Sequence, residues 1–196
     1  MERLLGVSLA DELARRRAAV LFGVDDTIDV LLGICEGLGV LHDAGLAHRD
    51  LTPSNVMLAP RGRMVLMDYG IARCERQAPD ELGLTGTPLY MAPESAQRAV
   101  CPGQAHLVDI YALGILAFEM LTGRPPFEAD SPEAVLRKQV LSPPLRPSSL
   151  RDGLPRALDD LVLELCAKSP HDRPQATEDV TAALRAARAP TRARRR

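Results

Sequence analysis

Tryptophan is absent from the 196 residues, and three Phe and three Tyr make up the whole aromatic set. The arginine-rich end of the chain therefore has no interleaved aromatic on which a base could stack, which argues against nucleic-acid binding. Lysine is nearly missing: Lys138 and Lys168 are the only two. Four cysteines, Cys35, Cys74, Cys101 and Cys166, show no CxxC or other metal-type spacing, and His42, His106 and His171 form no ligand spacing with them. Such a set excludes a zinc ribbon or a disulfide scaffold and suits free thiols in a reducing, cytoplasmic setting. The apolar stretch from Leu107 to Leu121 is too short to span a bilayer and is broken by Asp109 and Glu119. The opening residues do not read as a secretory signal.

What is present is a chain with 46% hydrophobic residues, enough to bury a sizeable core in a single domain. Its net charge is −2, yet from Arg185 onward six arginines occur with no acid, so the preceding body stands at −8. An acidic globule thus carries a basic tail, residues 189–196. The tail reads as a solvated end or the start of a linker. A sharper alternative is a membrane-proximal segment, drawn to anionic lipid at about 1 kcal/mol per arginine.

Periodicity predicts mostly helices. Ser8 and Asp11 have capping-box spacing, starting a short helix that ends near Arg17. Asp26 or Thr27 is expected to cap a longer helix, in which Ile28, Leu31, Leu32, Cys35, Leu38 and Leu41 form one apolar face. Residues 55–58 and 64–67 read as two short strands joined by the turn Pro60-Arg61-Gly62. The stretch from Leu107 to Leu121 is apolar nearly all round and stops at Gly123, as a buried central helix does. Further helices are expected from Ser131-Pro132-Glu133, from Pro155 to about Ala167, and from Ala176 to Ala187.

Three motifs carry chemistry. HRDLTPSN, His48 to Asn55, puts a carboxylate and a carboxamide five residues apart in one loop. Asp50 can accept a hydrogen bond from an incoming hydroxyl, while the Asn55 side-chain oxygen suits a hard, oxygen-seeking Mg²⁺. After the apolar run Met64-Val65-Leu66-Met67 comes Asp68-Tyr69-Gly70, in which the glycine permits a sharp turn that swings a carboxylate towards a metal. GTPLYMAPE follows, from Gly86 to Glu94.

In this order the motifs are those of protein kinases, and the chain resembles a bacterial-type serine/threonine protein kinase over nearly its whole length. The resemblance implies an α+β, mainly α-helical protein-kinase-like fold: the lower, C-terminal lobe, with short β-strands around the catalytic loop. Residues 1–188 would form that lobe, with residues 1–9 similar to the hinge between lobes. No GxGxxG and no lysine precede the HRD motif, so the upper-lobe phosphate cover and its lysine are not in this sequence. This chain by itself is therefore expected to have little activity.

The resemblance also implies roles. The cofactors would be ATP and Mg²⁺, the partners protein substrates with Ser or Thr acceptors. Asp50 would orient or deprotonate the acceptor, Asn55 and Asp68 would hold the metal, and Met57 would floor the adenine site. His48 and Tyr69 would stack beneath the metal site, next to Gly70. Arg49 would receive a phosphate carried by the activation segment, with Thr85 as the acceptor, and Thr87 would hydrogen-bond Asp50 and shape the Ser/Thr site. Asp109 would hold the HRD backbone, and Glu94 would pair with Arg173. Tyr90, where tyrosine kinases usually have Trp, favours Ser/Thr specificity. One departure lies in the loop: Thr52 stands where the family usually has Lys. A single charge at about 4 Å is worth up to about 4 kcal/mol at an effective dielectric near 20, a ceiling of about a thousandfold in rate. Two other readings compete. A catalytically silent protein-binding module would label no protein yet bind partners after Asp50→Asn. An aminoglycoside-type phosphotransferase shares the Asp-to-Asn spacing but generally lacks the APE segment and the Glu–Arg clamp.

Overall fold

The computed structural model describes residues 6–17, 20–68, 73–74 and 87–188, with side chains left out at 17, 73 and 74. Among these residues the chain forms seven α-helices and five short strands, mainly helical as the sequence implied.

Strand β1 (Val7–Ser8) runs straight into α1 (Leu9–Arg17). The Ser8 hydroxyl accepts the Asp11 backbone N–H at 3.1 Å, as the capping spacing predicted, while in the reciprocal half the hydroxyl itself donates to the Asp11 carboxylate at 2.7 Å. Helix α2 (Val24–Asp43) starts three or four residues earlier than a cap at Asp26 or Thr27 suggested, with Gly23 at its N-cap. Asp25 and Asp26 then fall in the first turn, where the helix dipole favours acids, and Thr27 returns its hydroxyl to the Gly23 carbonyl at 2.8 Å.

A tight turn at Gly45 leads through β2 (Leu46–Ala47) into the HRD loop. Beyond the 3₁₀ turn Pro53–Asn55, strands β3 (Val56–Ala59) and β4 (Arg63–Leu66) form an antiparallel hairpin with Met57 opposite Val65, each within one residue of expectation. β1 adds to the outer edge of β3, pairing Ser8 with Met57, which periodicity could not foresee. Gly6 makes this possible: a Cβ there would lie 2.7 Å from the Leu58 carbonyl oxygen and 2.9 Å from the Met57 side chain. β5 (Arg73–Cys74) pairs with β2.

Helix α3 (Pro93–Ala96) is a single turn, and α4 (His106–Thr122) is the axis of the core. Every residue of α4 from Leu107 to Leu121 is buried, and Gly123, at φ 80°, closes it in the left-handed conformation that a side chain disfavours. At Gly114 the helix meets α6 (Arg156–Leu165) so closely that a Cβ would sit 2.6 Å from that of Leu165. α5 (Pro132–Leu141) starts on Ser131, whose hydroxyl accepts the Ala134 N–H at 3.2 Å, and α7 (Thr177–Ala187) packs on α2 and α6. Ser131→Ala is expected to lower unfolding free energy by about 1 kcal/mol in a urea titration, with the m-value unchanged. No described helix is long and apolar enough to cross a membrane.

Candidate active site

The HRD loop is hung from α4. Asp109 is fully buried in the first turn of that helix, and its carboxylate accepts the backbone N–H of His48 at 2.8 Å and of Arg49 at 2.7 Å. His42, in the last turn of α2, adds a third contact at 2.9 Å through Nε2. A buried carboxylate is tolerable only with such partners, and here they converge on one loop. Arg49 has φ 63°, a left-handed backbone that costs a non-glycine residue about 1–2 kcal/mol, and the Asp109 contact to its own N–H sits where that strain is held. Sequence reading singled out Asp109 but treated His42 as unremarkable. Its one advance signal was a position a few residues before the loop.

His48 is buried and links two backbone segments. Its Nδ1 accepts the Asp50 N–H at 3.4 Å, so Nε2 is the donor to the Met67 carbonyl at 2.9 Å. Met67 in turn donates its N–H to the Asn55 carbonyl at 2.8 Å. Both faces of the Met67 backbone are thus tied to the HRD loop, and Asp68 is the next residue, exposed and itself at φ 59°.

Asn55 is buried and directs its Nδ2 at two acceptors, the Asp50 carbonyl at 2.8 Å and the Asp50 carboxylate at 3.1 Å. Two acceptors on one side require the nitrogen there and turn Oδ1 the other way, where it accepts no hydrogen bond among the described residues. An amide oxygen that accepts no hydrogen bond among the described residues, in a loop tied to the backbone of the residue before Asp68, is the kind of hard oxygen donor that suits Mg²⁺. No cluster of three or more His, Cys, Asp or Glu side chains with metal-holding geometry occurs among the described residues, so any such ion would lean on the amide and on its ligand's own oxygens.

Asp50 and Thr52 line a hollow with Arg49, Thr87, Tyr90 and Ser95, about 310 Å³ with its open mouth included. Thr52 is buried, and a neighbouring hollow places it with Pro53, Thr87 and Glu119. Thr87 is exposed and heads the 3₁₀ turn Pro88–Tyr90. It shares the hollow with Asp50, but the expected hydrogen bond between them is absent among the described residues. The Nε of Arg49 is buried with no hydrogen-bond partner among the described residues. Met57 is half-buried on β3, between Ser8 and Val65. Tyr69, Gly70 and Thr85 lie outside the described residues.

Glu94 and Arg173 meet in a buried bidentate pair, Nη1 to Oε1 at 2.7 Å and Nη2 to Oε2 at 2.8 Å. Arg173 also donates to the carbonyls of Leu107, Ala167 and Lys168, and its guanidinium lies 4.8 Å from the Tyr111 ring centroid.

Two supports of the Pro88–Tyr90 turn escaped sequence reading. Tyr90 donates its hydroxyl to Glu119 at 2.5 Å, and Gln139 donates to the Leu89 carbonyl at 2.7 Å while accepting the Tyr111 hydroxyl. Lys168 completes the second network, donating to the Gln139 carbonyl at 2.6 Å and to Tyr111 at 3.2 Å. An acid inside an apolar helix and one of only two lysines were signals that sequence reading passed over. Burial pushes the Lys168 ammonium down to about 8 from the usual 10.5, so the unfolded chain binds more protons between those values and folding gains as pH rises through them. Above about pH 9 the buried thiols of Cys35 and Cys166, pushed up to about 12, act in the opposite sense. Comparison with Lys168→Met isolates the lysine: the wild type should gain about 1 kcal/mol relative to the variant between pH 8 and 10.5, partial exposure damping the full shift. Parallel urea titrations measure it, and a flat difference would refute it.

Comparison of the sequence with known proteins bears on the family alone. The chain is 35% identical over 192 residues to the probable serine/threonine-protein kinase PknB of Corynebacterium glutamicum, covering 94% of this chain and 29% of that protein. It is 35% identical over 161 residues to the serine/threonine-protein kinase PknB of Mycobacterium tuberculosis, covering 80% and 25%, and 36% identical over 170 residues to PksC of Streptomyces coelicolor, covering 85% and 30%. The chain thus spans less than a third of the length of these curated relatives. A family model described as protein kinase domain matches residues 1–183, a span that contains the suspended HRD loop, the β3–β4 hairpin and the Glu94–Arg173 clamp, and the chain belongs to that family.

Proposed function

We propose that the chain is the C-terminal lobe, residues 1–188, of a serine/threonine protein kinase domain that transfers the γ-phosphoryl group of ATP to protein Ser or Thr hydroxyls. The observation that carries the reading is the shared anchoring of Asp50, Asn55 and the residue before Asp68, with the Asn55 amide oxygen left open.

In this reading Asp50 orients the acceptor hydroxyl and takes its proton, and Asn55 keeps that carboxylate aimed by donating to it. Asn55 Oδ1 and Asp68 would hold Mg²⁺, which neutralises charge on the phosphates when bound. Met57 contributes an apolar, half-buried surface for the base, and Thr87, Thr52 and Tyr90 wall the cavity in which the acceptor chain lies. The Arg49 guanidinium, whose Nε has no hydrogen-bond partner among the described residues, is suited to a phosphate on the activation segment, with Thr85 as the phosphorylated residue. Dependence on ATP fits a cytoplasmic location. A second reading, a lobe used only for protein binding, is favoured by Thr52 in place of lysine.

Titration of the purified chain with ATP, with and without Mg²⁺, tests the reading. The expected result is weak binding that strengthens about tenfold with Mg²⁺ and loses that increment in Asn55→Ala and in Asp68→Ala. Binding indifferent to Mg²⁺ and to both substitutions would remove the metal assignment, and no binding with retained capture of protein partners would favour the second reading.

A further inference from the structure

A groove of about 1610 Å³, its open mouth included, lies between α2, α7 and the β3–β4 turn. It shares no lining residue with the hollow at Asp50. One wall is a stripe of α2 in which Asp29, Glu36 and Asp43 recur at every seventh residue, with Leu32 and Val40 between them. Seven residues are close to two turns, so the three carboxylates share one face at intervals of about 10.5 Å. All three acids are exposed, and so is Val40, at 69%. Helix α7 supplies the facing wall with another exposed acid, Glu178, and Arg185 is the one base in the described lining.

The groove already shows how it takes a guanidinium, because Arg188 pairs with Asp29 at the first step of the stripe. Glu36, Asp43 and Glu178 form no ion pair with a described residue. The two helices run antiparallel, since Thr177 at the start of α7 lies against Gly39 while Arg188, just past its end, pairs with Asp25 and Asp29 near the start of α2. The seam between two packed helices is a shape that a third helix fills, ridge into groove. The spacing of the acids selects a helix as well: a strand covers about 10.5 Å in three residues, which its alternation turns to opposite faces, whereas a helix returns to one face after seven. We propose that the groove docks a basic amphipathic helix of a partner protein, about four turns long, with arginine or lysine over Glu36, Asp43 and Glu178 and apolar side chains on Leu32 and Val40. Opposite charge fixes one face of that helix, and the exposed apolar strip fixes the other. The docking does not depend on phosphoryl transfer.

Fluorescence anisotropy with a synthetic probe tests this: a fluorescein-labelled, alanine-based helical peptide of about 15 residues, with arginine at every seventh position and leucine between, is titrated with the full chain in the absence of nucleotide. Binding should be about tenfold weaker to the triple variant Glu36→Gln, Asp43→Asn, Glu178→Gln and about threefold weaker to Val40→Ser. A second triple variant, Glu128→Gln, Asp130→Asn, Asp152→Asn, removes the same charge at exposed positions off the groove and should bind as the wild type does. Circular dichroism controls for folding, every substituted position being exposed. Equal losses in the two triple variants overturn the proposal, because the peptide would then be drawn to net charge alone. So does a wild type that does not bind, and so does an affinity that Val40→Ser leaves unchanged. A dimer in sedimentation velocity that the groove variant dissolves would assign the groove to a second copy, and this overturns the proposal too.

Discussion

Arg173→Ala is expected to lower the unfolding free energy by about 3–5 kcal/mol, a large fraction of the roughly 5–15 kcal/mol that holds an ordinary domain folded. The size follows from burial. With the Arg173 side chain fully buried and that of Glu94 only 10% exposed, loss of the guanidinium strands a carboxylate where water cannot replace the missing partner. An exposed pair of the same geometry would be worth at most about 1 kcal/mol. Replacing both partners, Glu94→Leu with Arg173→Met, should recover part of the loss, since no unpaired charge then remains. Recovery should stay incomplete, because Arg173 also serves the carbonyls of Leu107, Ala167 and Lys168, which the double variant leaves without their donor. Urea denaturation of the two single variants and the double variant gives the cycle. A loss below about 1 kcal/mol for Arg173→Ala would mean that the pair is hydrated in solution.

Asp109→Ala should destabilise the fold by about 3 kcal/mol and disorganise the HRD loop. Three hydrogen bonds to a carboxylate, each worth about 1.5–3 kcal/mol, are lost together. Against this stands the relief of no longer burying a charge, worth several kcal/mol, so the net loss falls well short of the sum. Part of what remains is the orphaned N–H of His48 in the core. The left-handed backbone of Arg49 then loses the contact that holds it, and Asp50, the next residue, should lose its fixed orientation. Asp109→Asn should be milder, because one acceptor survives, and His42→Ala milder still, since that ring is partly exposed. The order Ala, Asn, His42→Ala in urea midpoint is the checkable outcome, together with loss of Mg²⁺-dependent ATP binding in the first. An Asp109→Ala variant as stable as wild type would show that the loop is held by something else.

Much of this was legible beforehand because it depends on local chemistry. The apolar periodicity of Ile28 to Leu38, the unbroken apolar run before Gly123 and the Ser131-Pro132 start each name an element within one to four residues. The start of α2 was misjudged since Gly23 caps through its backbone and bears no side-chain signal. Pairings that span many residues left no such mark. Ser8 against Met57, His42 against Asp109 and Gln139 against Leu89 join positions far apart in the chain, and neither residue of any pair announces its partner.

Residue type and order supplied the HRD, Asp-Tyr-Gly and APE motifs, with the loop spacing of Asp50 and Asn55, and through them the resemblance to protein kinases, which in turn implied roles for Asp68, Glu94, Asp109 and Arg173. Folding decided how much each matters. Whether Glu94 and Arg173 form a dispensable surface pair or a buried clamp, which way the Asn55 amide faces, and which groups hold Asp109 all depend on solvent exclusion and on contacts between α2, α4 and the loops. The energy of a charge or a hydrogen bond is set by its surroundings, and surroundings are a property of the packed molecule rather than of any stretch of chain.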